Sequence, residues 1–206
     1  MMLLALDTTA TVATAALFRD GTLVTEQEAD AGKKHAETAL PLIETLLEEN
    51  GVTIDQIDLF AVDIGPGSFT GVRIGVSLVN ALAFASGKRV VPVDSLRTLA
   101  LSVEEPEKPV CALIDARNGN AYAALYQQGK TLIEPCAVEI QPFLATLPAD
   151  TVFVGDVQSA EKSFPRARFV GLAAQLPQAA SVSEAEPLYL RPSQAERTKQ
   201  TSAKEA

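Results

Sequence analysis

A single histidine, His35, stands among 206 residues, and that scarcity sets the first limits on function. A metal site built on two imidazoles is excluded, and a Ser-His-Asp triad would depend on this one ring. The two cysteines, Cys111 and Cys136, have neither metal-ligand spacing nor a disulfide framework, and set among Val, Ala and Leu they read as core thiols. Positive charge is also thin, with 17 Lys and Arg scattered against 26 Asp and Glu for a net charge of −9. Nucleic-acid affinity rests on clustered cations that neutralise phosphates, so the chain alone is not expected to bind RNA or DNA. No apolar run approaches the roughly 20 residues needed to span a bilayer. Met1-Met2-Leu3-Leu4 reaches Asp7 too soon for a signal peptide. The expectations are therefore no membrane and a cytoplasmic location.

What is present is an ordinary globular composition, 47% hydrophobic and 21% charged. Leu3 to Thr8, Val12 to Phe18 and Leu23 to Glu28 read as strands, the last two joined by Asp20-Gly21, a strong hairpin signal. From Ala36 to Asn50, apolar Ala39, Leu40, Ile43, Leu46 and Leu47 recur with a helical period, and Gly51 suits a left-handed cap. Asp58 to Ile64 reads as a buried parallel strand. A second helix runs from about Phe69 until Gly87 stops it, then a strand over Lys88 to Val93, then a third helix capped by Ser95. The first half is thus βββαβαβα.

Val103 to Pro109, polar and broken by prolines, reads as a linker, after which the pattern restarts. Strands are expected at Val110 to Asp115, Ala121 to Tyr126 and Leu132 to Ile140, followed by a helix, a strand at Val152 to Val154, another helix and a strand near Phe169. An offset of 108 places Asp7 on Asp115, Leu17 on Leu125 and Gly21 on Gly129. An aspartate ending each first strand and a glycine in each hairpin turn are set by backbone need, so the match reads as a duplication. The expected fold is α/β with two tandem βββαβαβα lobes: residues 1–102, and residues 103–206 with a short C-terminal tail. By analogy this is the actin-like, ribonuclease H-like architecture (ASKHA) of actin, sugar kinases and heat-shock ATPases, with nucleotide held between lobes.

The most distinctive stretch is Gly65-Pro66-Gly67-Ser68-Phe69-Thr70-Gly71-Val72-Arg73-Ile74-Gly75, set between a strand and a helix. Backbone amides there could cradle an anion, which makes Gly67, Ser68 and Arg73 candidate phosphate contacts. The spacing is neither G-x-G-x-x-G nor a P-loop. The rival reading is packing, since Gly71 and Gly75 stack on one helix face and let another backbone approach, from this chain or from a partner. Asp7-Thr8-Thr9 stands where actin-like proteins grip a phosphate, yet Ala10 and Thr11 follow in place of the usual glycine. Asp7 also suits a strand-end residue bonding its own turn. His35, at a helix start, reads as a surface or capping residue. Asp63 and Asp94 stand near strand ends and could pair as acid and base.

These residues carry a resemblance. Leu3-Leu4-Ala5-Leu6-Asp7-Thr8-Thr9, His35, the Gly65 to Gly75 loop, Ala83-Phe84, Val91-Pro92-Val93-Asp94-Ser95-Leu96, Ile114-Asp115-Ala116-Arg117-Asn118-Gly119 and Pro187-Leu188-Tyr189-Leu190-Arg191 together resemble the TsaB family, also called YeaZ. The resemblance implies an actin-like fold without catalysis, a scaffold that binds and activates TsaD for threonylcarbamoyl transfer to adenosine 37 of ANN-decoding tRNAs. TsaE would join the assembly, tRNA would be met only through the complex, and isolated copies would form a homodimer. No cofactor is implied, with ATP or ADP only in the assembled complex. The helices of the first lobe would carry the interface through Leu40, Ile43, Leu47, Gly71, Val72, Gly75, Val76 and Val79. On this expectation Val76→Asp breaks docking and spares the fold. The competing reading is an enzyme, an actin-like ATPase or a glycoprotease-like hydrolase working without metal.

Overall fold

A computed structural model describes residues 1–32, 34–104, 107–157 and 160–191. The first three strands, β1 (Met2–Asp7), β2 (Val12–Arg19) and β3 (Thr22–Asp30), form an antiparallel meander. The β2–β3 turn places Asp20 at φ 50° and Gly21 at φ 85°, the paired positive values that match a hairpin's twist. Two parallel strands, β4 (Leu59–Asp63) and β5 (Arg89–Val93), complete a five-stranded sheet in the order β3-β2-β1-β4-β5. Helices α1 (His35–Glu49) and α2 (Phe69–Ser86) cover one face of it. Gly87, at φ 66°, ends α2 as expected.

Both sheet faces are buried, which explains why β1 and β2 read as continuous apolar runs. Leu4, Leu6, Ala15 and Leu17 point into the core beneath α1 and α2. Leu3, Ala5, Ala16 and Phe18 point the other way.

The second half repeats the plan. Strands β6 (Val110–Arg117), β7 (Asn120–Gln127) and β8 (Lys130–Glu139) form a meander whose last turn has Gln128 at φ 49° and Gly129 at φ 75°, matching the first hairpin. After α4 (Ile140–Leu144), β9 (Val152–Gly155) and β10 (Glu161–Lys162) add parallel strands, giving the order β10-β9-β6-β7-β8. This is the actin-like arrangement of two related sheets, with a shortened second copy. Among the described residues no helix separates β9 from β10, and Phe169 lies in helix α5 (Ala167–Ala173) rather than in the expected strand.

A cut at residue 102 separates the strands of the two sheets but not the helices. Helix α3 (Ser95–Ala100), from the first half, inserts Leu96 and Leu99 against Val110, Ala112, Tyr126 and Val154 of the second sheet. Helix α5, from the second half, covers the free face of the first sheet with Ala167, Val170, Ala173 and Ala174. It sits so close that a Cβ on Gly171 would stand 2.1 Å from the Phe18 ring. Its first amides are bound by the other half, Ala167 N donating to Thr14 Oγ1 (2.8 Å) and Arg168 N to Glu26 Oε1 (2.9 Å). The cap of α3 is Asp94, whose carboxylate accepts from Arg97 N at 2.8 Å, and not Ser95.

Residues after α5 run back along the first sheet. Val90 and Val182 exchange backbone hydrogen bonds (2.9 and 2.7 Å), the Asn80 side chain brackets Ala185 with two bonds of 2.9 Å, and Leu188 N donates to Ile64 O (2.8 Å). Arg191 then reaches Asn120 of the second sheet at 2.6 Å.

Candidate functional site at the junction of the two sheets

The C-terminal end of β1 lies directly beneath the N-terminus of α2, and the glycines of the Gly65 to Gly75 stretch make that approach possible. A Cβ on Gly71 would stand 2.0 Å from Thr8 O, one on Gly75 2.3 Å from Thr8 Oγ1, and one on Gly67 2.8 Å from Thr9 O. Thr8 Oγ1 donates to Gly71 O (2.7 Å), Ser68 N donates to Thr9 O (2.8 Å), and Ser68 Oγ caps α2 by accepting from Gly71 N (3.2 Å). The chain's own Thr8 and Thr9 thus occupy much of what would be an anion cradle.

The five candidate phosphate contacts separate accordingly. Asp7 and Thr8 are fully buried, while Gly67 and Ser68 line a cleft between the sheets. Arg73 points elsewhere, stacked on the Phe69 ring at 4.1 Å and donating to the Tyr189 hydroxyl at 2.8 Å. The cleft holds about 520 Å³, walled by Thr9, Thr11 and His35 on one side and Asp115, Arg117, Tyr122 and Asp156 on the other. His35 is 5% exposed rather than a surface residue, and its Nε2 lies 2.8 Å from Ala10 O, which ties α1 to the β1–β2 loop. Asp156 Oδ1 accepts from Asp115 N at 2.7 Å, so the second sheet carries its own aspartate pair, exposed where the first is buried.

In the first sheet, Asp7 Oδ1 accepts from Thr9 N (2.8 Å) and Thr9 Oγ1 (2.7 Å). Burial pushes this carboxyl up to about 7, against the pull of the two Thr9 bonds. Asp63 Oδ1 accepts from Gly65 N (2.8 Å) and Ser95 Oγ (2.6 Å). Burial also raises Asp63 well above the usual carboxylate range, and the Asp7 charge adds to the effect. Asp63 therefore neighbours Asp7 on the adjacent strand, whereas Asp94 caps α3 and accepts from the Tyr126 hydroxyl at 3.1 Å. Among the described residues, no group of three or more His, Cys, Asp or Glu could hold a metal ion.

The residues expected at a partner interface lie mostly inside the chain's own core. Ile43, Leu47, Val72, Val76 and Val79 are between 1% and 7% exposed, and Gly71 and Gly75 face Thr8. Only Leu40 of that group is exposed, at 40%. The glycine pair does mark a close backbone approach, but the backbone is that of β1. The outward face of α2 instead carries Arg73 and Ser77, then Ala81 and Ala85, with Phe84 88% exposed near its end; Ile74 is half-buried and Leu78 packs partly against the first core. One expectation about length is also corrected, since α2 has the length and composition of a membrane-crossing helix, 18 residues at mean hydropathy 1.4. Its inner face packs on the first sheet.

Fold and junction together define a two-sheet α/β protein of the actin-like class, with exchanged helices and a polar cleft between the sheets. A family model described as "TsaD: tRNA N6-adenosine threonylcarbamoyltransferase" matches residues 24–199. The chain is 34% identical over 145 residues to the tRNA threonylcarbamoyladenosine biosynthesis protein TsaB of Bacillus subtilis, covering 70% of this chain and 63% of that one. It is 35% identical over 130 residues to TsaB of Escherichia coli, covering 62% and 56%. The solved structure of YeaZ from Pseudomonas aeruginosa superposes with a TM-score of 0.76 at 31% identity, covering 92% of this chain and 99% of that one. The chain belongs to the TsaB (YeaZ) family, within the wider family that the matching model describes. The aligned part spans less than two thirds of each of the two TsaB relatives.

Proposed function

We propose that the chain is a non-catalytic scaffold subunit in tRNA threonylcarbamoyladenosine biosynthesis, binding TsaD and holding it in the active conformation for transfer to adenosine 37. Family membership supports the pathway. The observation that carries the scaffold role is the outward face of α2, where Phe84 stands 88% exposed beside Ala81 and Ala85. A helix face this apolar is costly to leave in water and is typical of an interface core. The docking surface is therefore drawn on Ile74, Ala81, Phe84 and Ala85 of α2, together with the exposed Leu40 of α1, in place of the buried residues. In the absence of TsaD the same face pairs two copies of the chain. TsaE joins the assembly, tRNA is met through the complex, and the location is cytoplasmic.

The enzyme reading is weakened by the burial of Asp7 and Thr8, which keeps them from a ligand in the cleft. Co-expression with TsaD tests the scaffold. Phe84→Asp is expected to elute free of TsaD in gel filtration while remaining folded, and co-elution at the wild-type level would refute the assigned surface. Sustained Mg-ATP turnover by the isolated wild-type chain would refute the non-catalytic role.

A further inference from the structure

Asp7 ends β1 and Asp63 ends β4, neighbouring parallel strands whose register pairs Leu6 with Val62 one residue earlier. The two carboxylates therefore stand side by side at the same edge of the first sheet, and both are 0% exposed. In each, Oδ1 is saturated by two donors: the Thr9 amide and hydroxyl on Asp7, the Gly65 amide and Ser95 hydroxyl on Asp63. In each, Oδ2 is buried and has no hydrogen-bond partner among the described residues. Two ionised carboxylates in this position would each present an anionic oxygen to a buried interior and repel one another, an arrangement that folded proteins avoid.

The surrounding charges offer little relief. On Asp7, Glu26 of β3 acts as a like charge and Arg166, ahead of α5, as an opposite one, but Arg166 already pairs with Glu26 at 2.8 Å. On Asp63, Asp94 at the start of α3 is a further like charge. From α2 the chain presents Gly71 and Gly75 to this end of β1, and these carry no side chain.

We propose that Asp7 and Asp63 share a single proton near neutral pH, one Oδ2 donating it to the other, and that this proton keeps the junction between the two sheets closed. The pair holds both sides of that junction. Asp63 binds the Ser95 hydroxyl, and Ser95 opens the helix that crosses to the second sheet; its amide also donates to Gly65 O at 2.9 Å. Asp7 binds Thr9, which lines the cleft. Loss of the proton to solvent water leaves two adjacent anions, and the strain is relieved by parting Asp63 from Ser95 and admitting water. The upward displacement of both carboxyls by burial has the same sense. The cleft is thus tightest at and below neutral pH and loosens above it, independently of any partner on the outer face of α2.

Infrared spectroscopy of the intact wild-type chain, labelled with ¹³C at the aspartate side-chain carboxyl, tests the shared proton directly. A protonated-carboxyl C=O band is expected near neutral pH, disappearing as pH rises. In Asp63→Asn the new amide N–H replaces the shared proton, so Asp7 ionises and the band is absent. Hydrogen exchange, corrected for intrinsic rates, reads the junction. The amides of Ile64, Gly65 and Gly67 and of residues 95–98 should open up to about tenfold more per pH unit once the proton is lost in wild type, and show no such rise in Asp63→Asn. A wild-type chain without the protonated-carboxyl band near neutral pH overturns the proposal, whether or not the variant folds. So does a pH-dependent rise of equal size in Asp63→Asn.

Discussion

At the residue scale, the distinctive glycine stretch is a packing device for a single joint. Gly71→Ala would push a methyl group to 2.0 Å from Thr8 O, a backbone atom with no flexible end to yield. The expected cost is about 3 kcal/mol, measured by urea unfolding. The same joint makes stability depend on pH through Asp7. Its folded value of about 7 lies above the ordinary 3.8, so the folded state binds the proton more tightly. Its contribution is fully present below about pH 4 and is lost as pH rises to about 7, on the order of 4 kcal/mol if no other group compensates. Asp7→Asn should flatten the stability profile across that window, and an unchanged slope would contradict the assignment. Much of this joint is legible in the sequence, because Asp7, Thr8 and the Gly65 to Gly75 run are conspicuous there. The direction of the close approach is not, since glycine spacing gives the helix face but not the identity of the backbone pressed against it.

At the element scale, α2 shows both what a hydrophobic period conveys and what it conceals. Its bounds and its Gly87 stop follow from the sequence, yet after exposed Arg73 and Ser77 its outward side turns apolar with Ala81, Phe84 and Ala85. Which stripe faces the sheet is settled by the glycines that meet Thr8. The two faces should therefore respond differently to charge. Val76→Asp buries a carboxylate in the first core and should lose more than about 4 kcal/mol, or fail to fold, contrary to the expectation that it would spare the fold. Phe84→Asp, at an exposed position, should change stability by less than about 0.5 kcal/mol by thermal denaturation.

At the scale of the whole molecule, the exchange of α3 and α5 makes each half incomplete without the other. Helix amphipathicity announces that a face is buried but not which sheet buries it, so the exchange is invisible to a reading of periods. The duplication itself is visible, because matching hairpin glycines and strand-end aspartates recur at a fixed offset. One ion cluster fastens the exchange: Glu26, whose side chain is 1% exposed, accepts from Arg166 and Arg168 at 2.8 and 2.6 Å. Removing both cations, as in Arg166→Ala with Arg168→Ala, would strand that carboxylate at a cost of about 3 kcal/mol. Because α5 closes the first core and α3 the second, the two sheets should unfold in one cooperative step. Probes placed on β2 and on β7 should report the same urea midpoint in wild type and in the double variant.

The central claim, a scaffold that works through the outer face of α2, is tested most directly by threonylcarbamoyladenosine formation on tRNA in a reaction reconstituted with TsaD and TsaE and supplied with an activated threonylcarbamoyl donor. Wild-type chain should support product formation, and folded Phe84→Asp should reduce it to the level seen without the chain. Full activity with Phe84→Asp, or without the chain, would contradict the account.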